Sequence, residues 1–124
     1  MDRSRAEEIV RDYVDGWKEY NSAKLRDTLD QGCVLVESDG AIIRGAETIV
    51  RQLEKRVAGE HGPWQISQWE ITSLAVTDEA CFLEWTFDGR RSFEGASLVR
   101  FNEGKISYVR EYRTTGPLIE YVEE

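Results

Sequence analysis

Residues 80–114 read ACFLEWTFDGRRSFEGASLVRFNEGKISYVREYRT. Apolar and polar residues alternate from Ala80 to Phe87, from Ser92 to Phe101 and from Lys105 to Thr114. Asp88-Gly89 and Asn102-Glu103-Gly104 fall between these runs. Period-two alternation broken by turn residues predicts strands joined by tight turns. The preceding run, Trp64 to Val76, ends at Thr77-Asp78-Glu79 and predicts one more strand. Four long strands in succession make an antiparallel meander.

The chain before the meander is mostly helical. Ile9, Val10, Tyr13, Val14, Trp17 and Tyr20 recur at spacings of three and four, the apolar face of a helix from Arg5 to Tyr20. After Asn21, Ser22 is suited to cap a second, short helix carrying Leu25 and Leu29, and Gly32 ends it. Cys33 to Glu37 and Ala41 to Arg44 predict a hairpin around Ser38-Asp39-Gly40. Gly45 opens a third helix with Glu47 near its positive end and Lys55-Arg56 near its negative end. Its apolar face is Ala46, Ile49, Val50, Leu53 and Val57. Gly59 to Pro63 reads as a loop and Gly116-Pro117 as the start of a tail.

The predicted fold is therefore a single α+β domain over residues 1–124, with a core at about 5–115 and a tail at 116–124. A curved antiparallel sheet wraps three N-terminal helices and encloses one pocket. Strands do not alternate with helices, which excludes a doubly wound sheet.

Composition narrows the partners. The 124 residues are 40% hydrophobic and 32% charged, with a net charge of −8. Acidic excess without a basic patch argues against nucleic acid and anionic membranes. No apolar run is long enough to span a bilayer, and the N-terminus lacks a signal-like stretch, so a cytoplasmic protein is expected. Cys33 and Cys81 read as reduced core thiols. His61 is the only histidine, which leaves no zinc motif and no metal or cofactor to expect.

The element order resembles the SnoaL-like branch of the nuclear transport factor 2-like superfamily. The resemblance spans about Arg5 to Thr115. Ile43-Arg44-Gly45-Ala46-Glu47-Thr48-Ile49, Phe93 to Ile106 and Val109-Arg110-Glu111-Tyr112 carry it most specifically. It implies a cone-shaped barrel, dimeric through the outer sheet face. It does not imply one activity, since such proteins include isomerases, cyclases, hydrolases and non-catalytic members. Similarity to ketosteroid isomerases places an oxyanion-donating tyrosine on Tyr13 and a proton-carrying carboxylate on Glu37. The second donor of those enzymes, an aspartic acid, falls on Ser97 here. Similarity to limonene epoxide hydrolases places an inward carboxylate on Glu111.

Strand parity selects the pocket residues. Phe93, Gly95, Ser97, Val99 and Phe101 share one face, as do Cys81, Leu83, Trp85 and Phe87, and both sets turn inward. By the family comparison Ser107, Val109, Glu111 and Arg113 turn inward as well. Glu37 ends an apolar run, where a carboxylate at a pocket mouth has a raised pKa and acts as acid or base. Its other reading is a solvated strand end beside Asp39. For Glu111 the other reading is an ion pair with Arg113, Arg100 or Arg110. The expected site is thus Glu37, Tyr13 and Glu111 as catalytic groups, with Trp17, Leu83, Trp85, Phe93, Ser97 and Val99 against a small apolar ligand. Tyr108 and Tyr112 sit on the opposite face of that last strand, so the facing of Glu111, like that of Trp64 and Trp69, is open. Two functions compete: a cofactor-independent acid/base enzyme of isomerase, hydrolase or cyclase type, and a non-catalytic binding or dimeric interaction domain.

Overall fold

The computed structural model describes residues 1–57, 68–88, 92–114 and 119–122. The sequence readings at His61, Trp64, the 59–63 loop, the turn at Gly89, Gly116-Pro117 and Leu118 lie outside the described residues.

The first helix, α1 (Arg3–Lys18), starts where Asp2 accepts a hydrogen bond from the Arg5 amide at 2.9 Å. Ala6, Ile9, Val10, Tyr13, Val14 and Trp17 are buried along one face. Tyr20 does not continue that face. It stands beyond the helix in the left-handed region at φ 54° and is exposed. A short helix, α2 (Ser22–Thr28), packs across α1 so closely that a Cβ at Gly16 would meet the Leu25 backbone at 2.9 Å. Its cap is Asn21, not Ser22: the Asn21 side chain accepts from the Lys24 amide at 3.0 Å. The Thr28 hydroxyl closes the helix on the Leu25 carbonyl at 2.8 Å, and the chain is already extended at Leu29.

The sheet contains β1 (Leu29–Val36), β2 (Ile42–Arg44), β3 (Trp69–Val76), β4 (Ala80–Asp88), β5 (Ser92–Asn102) and β6 (Lys105–Arg113), with α3 (Ala46–Val57) between β2 and β3. Their spatial order is β2-β1-β6-β5-β4-β3, an open sheet with β2 and β3 at its edges. The meander β3 to β6 is antiparallel as expected. The sheet as a whole is mixed, because β1 pairs with β6 in parallel. A parallel pair needs a long crossover, and here the chain from β2 through β5 supplies it. β1 also begins at Leu29, earlier than Cys33, since Leu29 pairs with Ile106. Leu25 and Leu29 keep a helical spacing, but pairing across the sheet overrides it.

The core fills the space between the helices and the concave sheet face, with Leu25, Leu35, Ile49, Leu53, Leu83 and Ile106 fully buried. Cys81, Leu83, Trp85 and Phe87 on β4, and Ser97 and Val99 on β5, are buried on that face. On β6, Ser107 does not hold the buried position. Arg100 pairs with Tyr108 but Phe101 with Ile106, so one extra residue bulges from β6. Ile106 takes the buried place, while the Ser107 hydroxyl donates to the Arg100 carbonyl at 3.3 Å.

Candidate active site

Register carries the site across four strands. Leu83 lies opposite Ser97, and Ser97 opposite Glu111. On the far side of β6, Leu35 pairs with Val109 and Val36 with Arg110. One step further along this parallel register brings Glu37 beside Glu111. Neighbouring strands are about 4.8 Å apart, so two carboxylates share one corner of the sheet. The Glu37 backbone is fixed by its hairpin: its amide donates to the Ala41 carbonyl and its carbonyl accepts from the Gly40 amide, both at 2.9 Å.

Both carboxylates line a cavity of about 720 Å³ between this hairpin, α3 and the ends of the long strands. One wall is aromatic. Trp69 meets Trp85 edge-on at 5.8 Å between ring centres, Trp85 meets Phe93 at 5.9 Å, and Phe93 stacks on Phe87 at 5.1 Å. Trp17 from α1 adds to the lining. Charged groups share the lining. Arg44, Arg56 and Arg113 join Glu37, Asp39 and Glu111 there. The Arg113 guanidinium lies 4.8 Å over Phe93, and that of Arg56 lies 6.0 Å from Trp17.

Glu111 carries a perturbed carboxyl. Burial, then the negative charge of Glu37, pushes its pKa up from the ordinary 4.5 to about 7, against the pull of Arg56. A buried carboxyl near a like charge holds its proton because ionising costs solvation and repulsion together. Glu111 makes no ion pair with Arg100, Arg110 or Arg113 among the described residues. Arg110 lies 5.2 Å over Tyr112 instead.

Of the residues expected from the sequence, Trp17, Glu37, Trp85, Phe93 and Glu111 line this cavity. Leu83, Ser97 and Val99 do not. They have the right parity but lie deeper along their strands, under the helices and at most 2% exposed. Ser97 accepts a hydrogen bond from the Trp85 indole at 2.9 Å and so fixes the ring that forms the wall. Tyr13 sits one turn of α1 before Trp17, below the lining, and its ring meets Trp17 edge-on at 6.4 Å. Its hydroxyl is buried beside Trp17. Burial, then the charge of Glu111, holds its pKa well above the ordinary value. Sequence reading missed Trp69, Arg44 and Arg56 as lining residues. Arg56 carried only a helix-end signal, which explains a cation but not its direction. Burial pushes the Cys33 and Cys81 thiols up to about 12 and 11, so neither is a reactive thiol at neutral pH. No group of three potential metal ligands occurs among the described residues.

Residues 10–109 match the SnoaL-like domain family, and the chain belongs to that family. No curated protein matches it by sequence. Solved structures share the fold. A ketosteroid isomerase candidate from Kribbella flavida superposes with a TM-score of 0.80 at 15% identity, over 100% of this chain and 94% of that one. An LEH-like epoxide hydrolase of M. tuberculosis gives 0.77 at 17% identity, over 92% and 86%. A protein of ketosteroid isomerase-like fold from Catenulispora acidiphila, in complex with trimethylamine, gives 0.72 at 19% identity, over 85% and 84%. None of the described helices is long and apolar enough to cross a membrane.

Proposed function

We propose that this protein is a small-molecule enzyme that moves protons without a metal or organic cofactor, using Glu111 as its acid/base group and Glu37 as the charged partner. The reading rests on one observation: Glu111, its pKa about 7, lines a cavity that Trp17, Trp69, Trp85, Phe87 and Phe93 line as well. A carboxyl near that value is present in both protonation states at neutral pH, which suits it to donate and accept in one cycle. The weight shifts from Glu37 to Glu111 relative to the sequence reading, because burial raises the Glu111 pKa to about 7. The aromatic wall suits a planar apolar body, and the carboxyls suit a carbonyl, hydroxyl or epoxide oxygen. Ser97 supplies no second oxyanion-donating acid, being a core residue bonded to Trp85. Proton transfer beside a carbonyl, as in an isomerase or cyclase, fits this set best. A second reading, a binding domain without catalysis, is supported by the trimethylamine complex of the Catenulispora neighbour.

The test is deuterium exchange at the carbon next to the carbonyl of phenylacetone, followed by NMR in heavy water. The protein is expected to accelerate exchange, and Glu111→Gln to remove that acceleration, a loss on the order of 100-fold or more. Exchange at the buffer rate, or unchanged in Glu111→Gln, contradicts the acid/base reading.

We also propose a homodimer through the convex sheet face. Phe82 pairs with Leu98 and Ala96 with Tyr112 there, and Phe82 and Tyr112 are half exposed. Light scattering is expected to report a dimer that Phe82→Glu dissociates. A monomer at high concentration contradicts it.

A further inference from the structure

Helix α3 carries polar residues on two faces. Glu47, Arg51 and Glu54 are exposed, and each bears a charge. Thr48, Gln52 and Arg56 are half-buried and line the cavity. Residues four apart stand one above another on a helix, so these three form a single stripe. The buried row Ala46, Ile49, Val50 and Leu53 runs beside it. Each step along the stripe is about 6 Å.

This stripe differs from the rest of the polar lining. Glu37, Asp39, Arg44, Glu111 and Arg113 are charged, as is Arg56 itself. Thr48 and Gln52 are the only neutral polar residues between Ala46 and Arg56, and both line the cavity. Each can donate and accept a hydrogen bond. The Gln52 side-chain amide donates to the Thr48 carbonyl at 3.4 Å, a long bond that takes one of its two N–H groups. Where α3 faces water it is charged; where it faces the cavity it offers a hydroxyl and a carboxamide.

Arg56 ends the stripe close enough to Glu111 for its charge to act on that carboxyl. Gln52 stands one step, about 6 Å, further along the helix. A cavity of about 720 Å³ has room for more than one functional group, so a ligand with its reacting oxygen at Glu111 can reach Gln52 with a second. A charged second group would be drawn to the arginines or carboxylates of the lining. A neutral hydroxyl or amide is what Thr48 and Gln52 match.

We propose that Thr48 and Gln52 are specificity-determining residues, which select a ligand bearing a neutral hydroxyl or amide group on the side of its ring away from the reacting carbonyl. A site that hydrogen-bonds a ligand hydroxyl discriminates against the analogue lacking it, because the site's own polar group then loses a partner. The inference rests on the acid/base reading for the carbonyl end alone; the preference is a property of binding and needs no turnover.

The test is calorimetric titration at neutral pH with 4-hydroxyphenylacetone and 4-methylphenylacetone, two uncharged ketones of nearly equal shape. The native protein is expected to bind the hydroxyl compound about threefold to tenfold more tightly. Gln52→Leu is expected to bring that ratio to about one, and Thr48→Val, which keeps the branched shape, to lower it by about twofold. A purely structural role for Gln52 would weaken both ketones together and leave their ratio as it was. Equal binding of the two ketones by the native protein, undetectable binding of both, or an unchanged ratio in Gln52→Leu overturns the proposal. Should Gln52→Leu bind neither ketone, the Thr48→Val ratio decides, and no change in it overturns the proposal. Deuterium exchange separates the two readings. Preference for the hydroxyl compound without exchange overturns catalysis alone. Exchange of both ketones with no preference in binding overturns this inference alone.

Discussion

Glu111→Gln is expected to make the protein more stable at about pH 8 and to leave it nearly unchanged at about pH 3.5. The sign follows from where the proton sits. The folded state holds the Glu111 proton up to about 7, whereas the ordinary value is 4.5. Between those values the folded chain binds more protons than the unfolded one, so unfolding free energy falls as pH rises through this window. Below 4.5 the carboxyl is neutral in both states and costs nothing. Above about 7 it is ionised in both, and the folded protein carries the whole penalty, roughly 3 kcal/mol at most. Glutamine is never charged and so escapes it. In a chain of this size the gain corresponds to a rise in melting temperature of about 10 °C at the upper limit. Glu37→Gln is expected to give part of the same gain, because it removes the second cause of the penalty. The two substitutions together are expected to fall short of their sum, since they act on one charge pair. Melting curves of the four proteins at the two pH values check this. Equal stabilities at the higher pH would mean that Glu111 is solvated after all.

Gly95→Ala is expected to destabilise the protein by about 2 kcal/mol and to displace the cavity wall. Replacing a strand glycine with alanine usually helps, by roughly 0.5–1 kcal/mol of chain entropy. Here the added Cβ would run into the Tyr112 carbonyl on β6 and the outer edge of the Trp85 indole. The carbonyl belongs to a paired strand and cannot move alone, so the clash outweighs the entropy. Trp85 lies across Gly95 because it has no side chain there, and the Trp85 indole N–H reaches Ser97 from that position. The displaced ring is expected to appear as a shifted indole NMR signal. In a Trp85→Phe background the smaller ring lacks the clashing atoms, and Gly95→Ala is expected to cost clearly less. A cost that is the same in both backgrounds would show that the indole does not rest on Gly95.

These two residues mark where sequence reading reaches and where it stops. The meander was legible because alternation and turn residues are local signals. Residues 80–114 therefore gave strand ends within a residue or two of those observed. The inward faces of β4 and β5 followed from the same period. Period gives a face and not a depth, however. Leu83, Ser97 and Val99 share the face of Trp85 but lie under the helices, whereas Trp85 reaches the cavity. The parallel pairing of β1 with β6 joins residues more than seventy positions apart, and no local pattern announces it. That pairing is what sets Glu37 beside Glu111. Family resemblance named both carboxylates separately, from two different enzymes, and only the register makes them neighbours. Trp69 and Arg56 were illegible for a related reason. An edge strand and a helix end carry weak periodicity.

Glu111 is a half-buried residue whose carboxyl keeps its proton through desolvation and the charge of Glu37. Carbon-13 NMR of the glutamate side-chain carboxyls, followed through a pH titration, tests it most directly. The predicted result is one carboxyl signal with its midpoint near 7, absent in Glu111→Gln and shifted to lower pH in Glu37→Gln. A titration in which the Glu111 carboxyl follows the ordinary carboxylate range, with or without Glu37, would contradict the account.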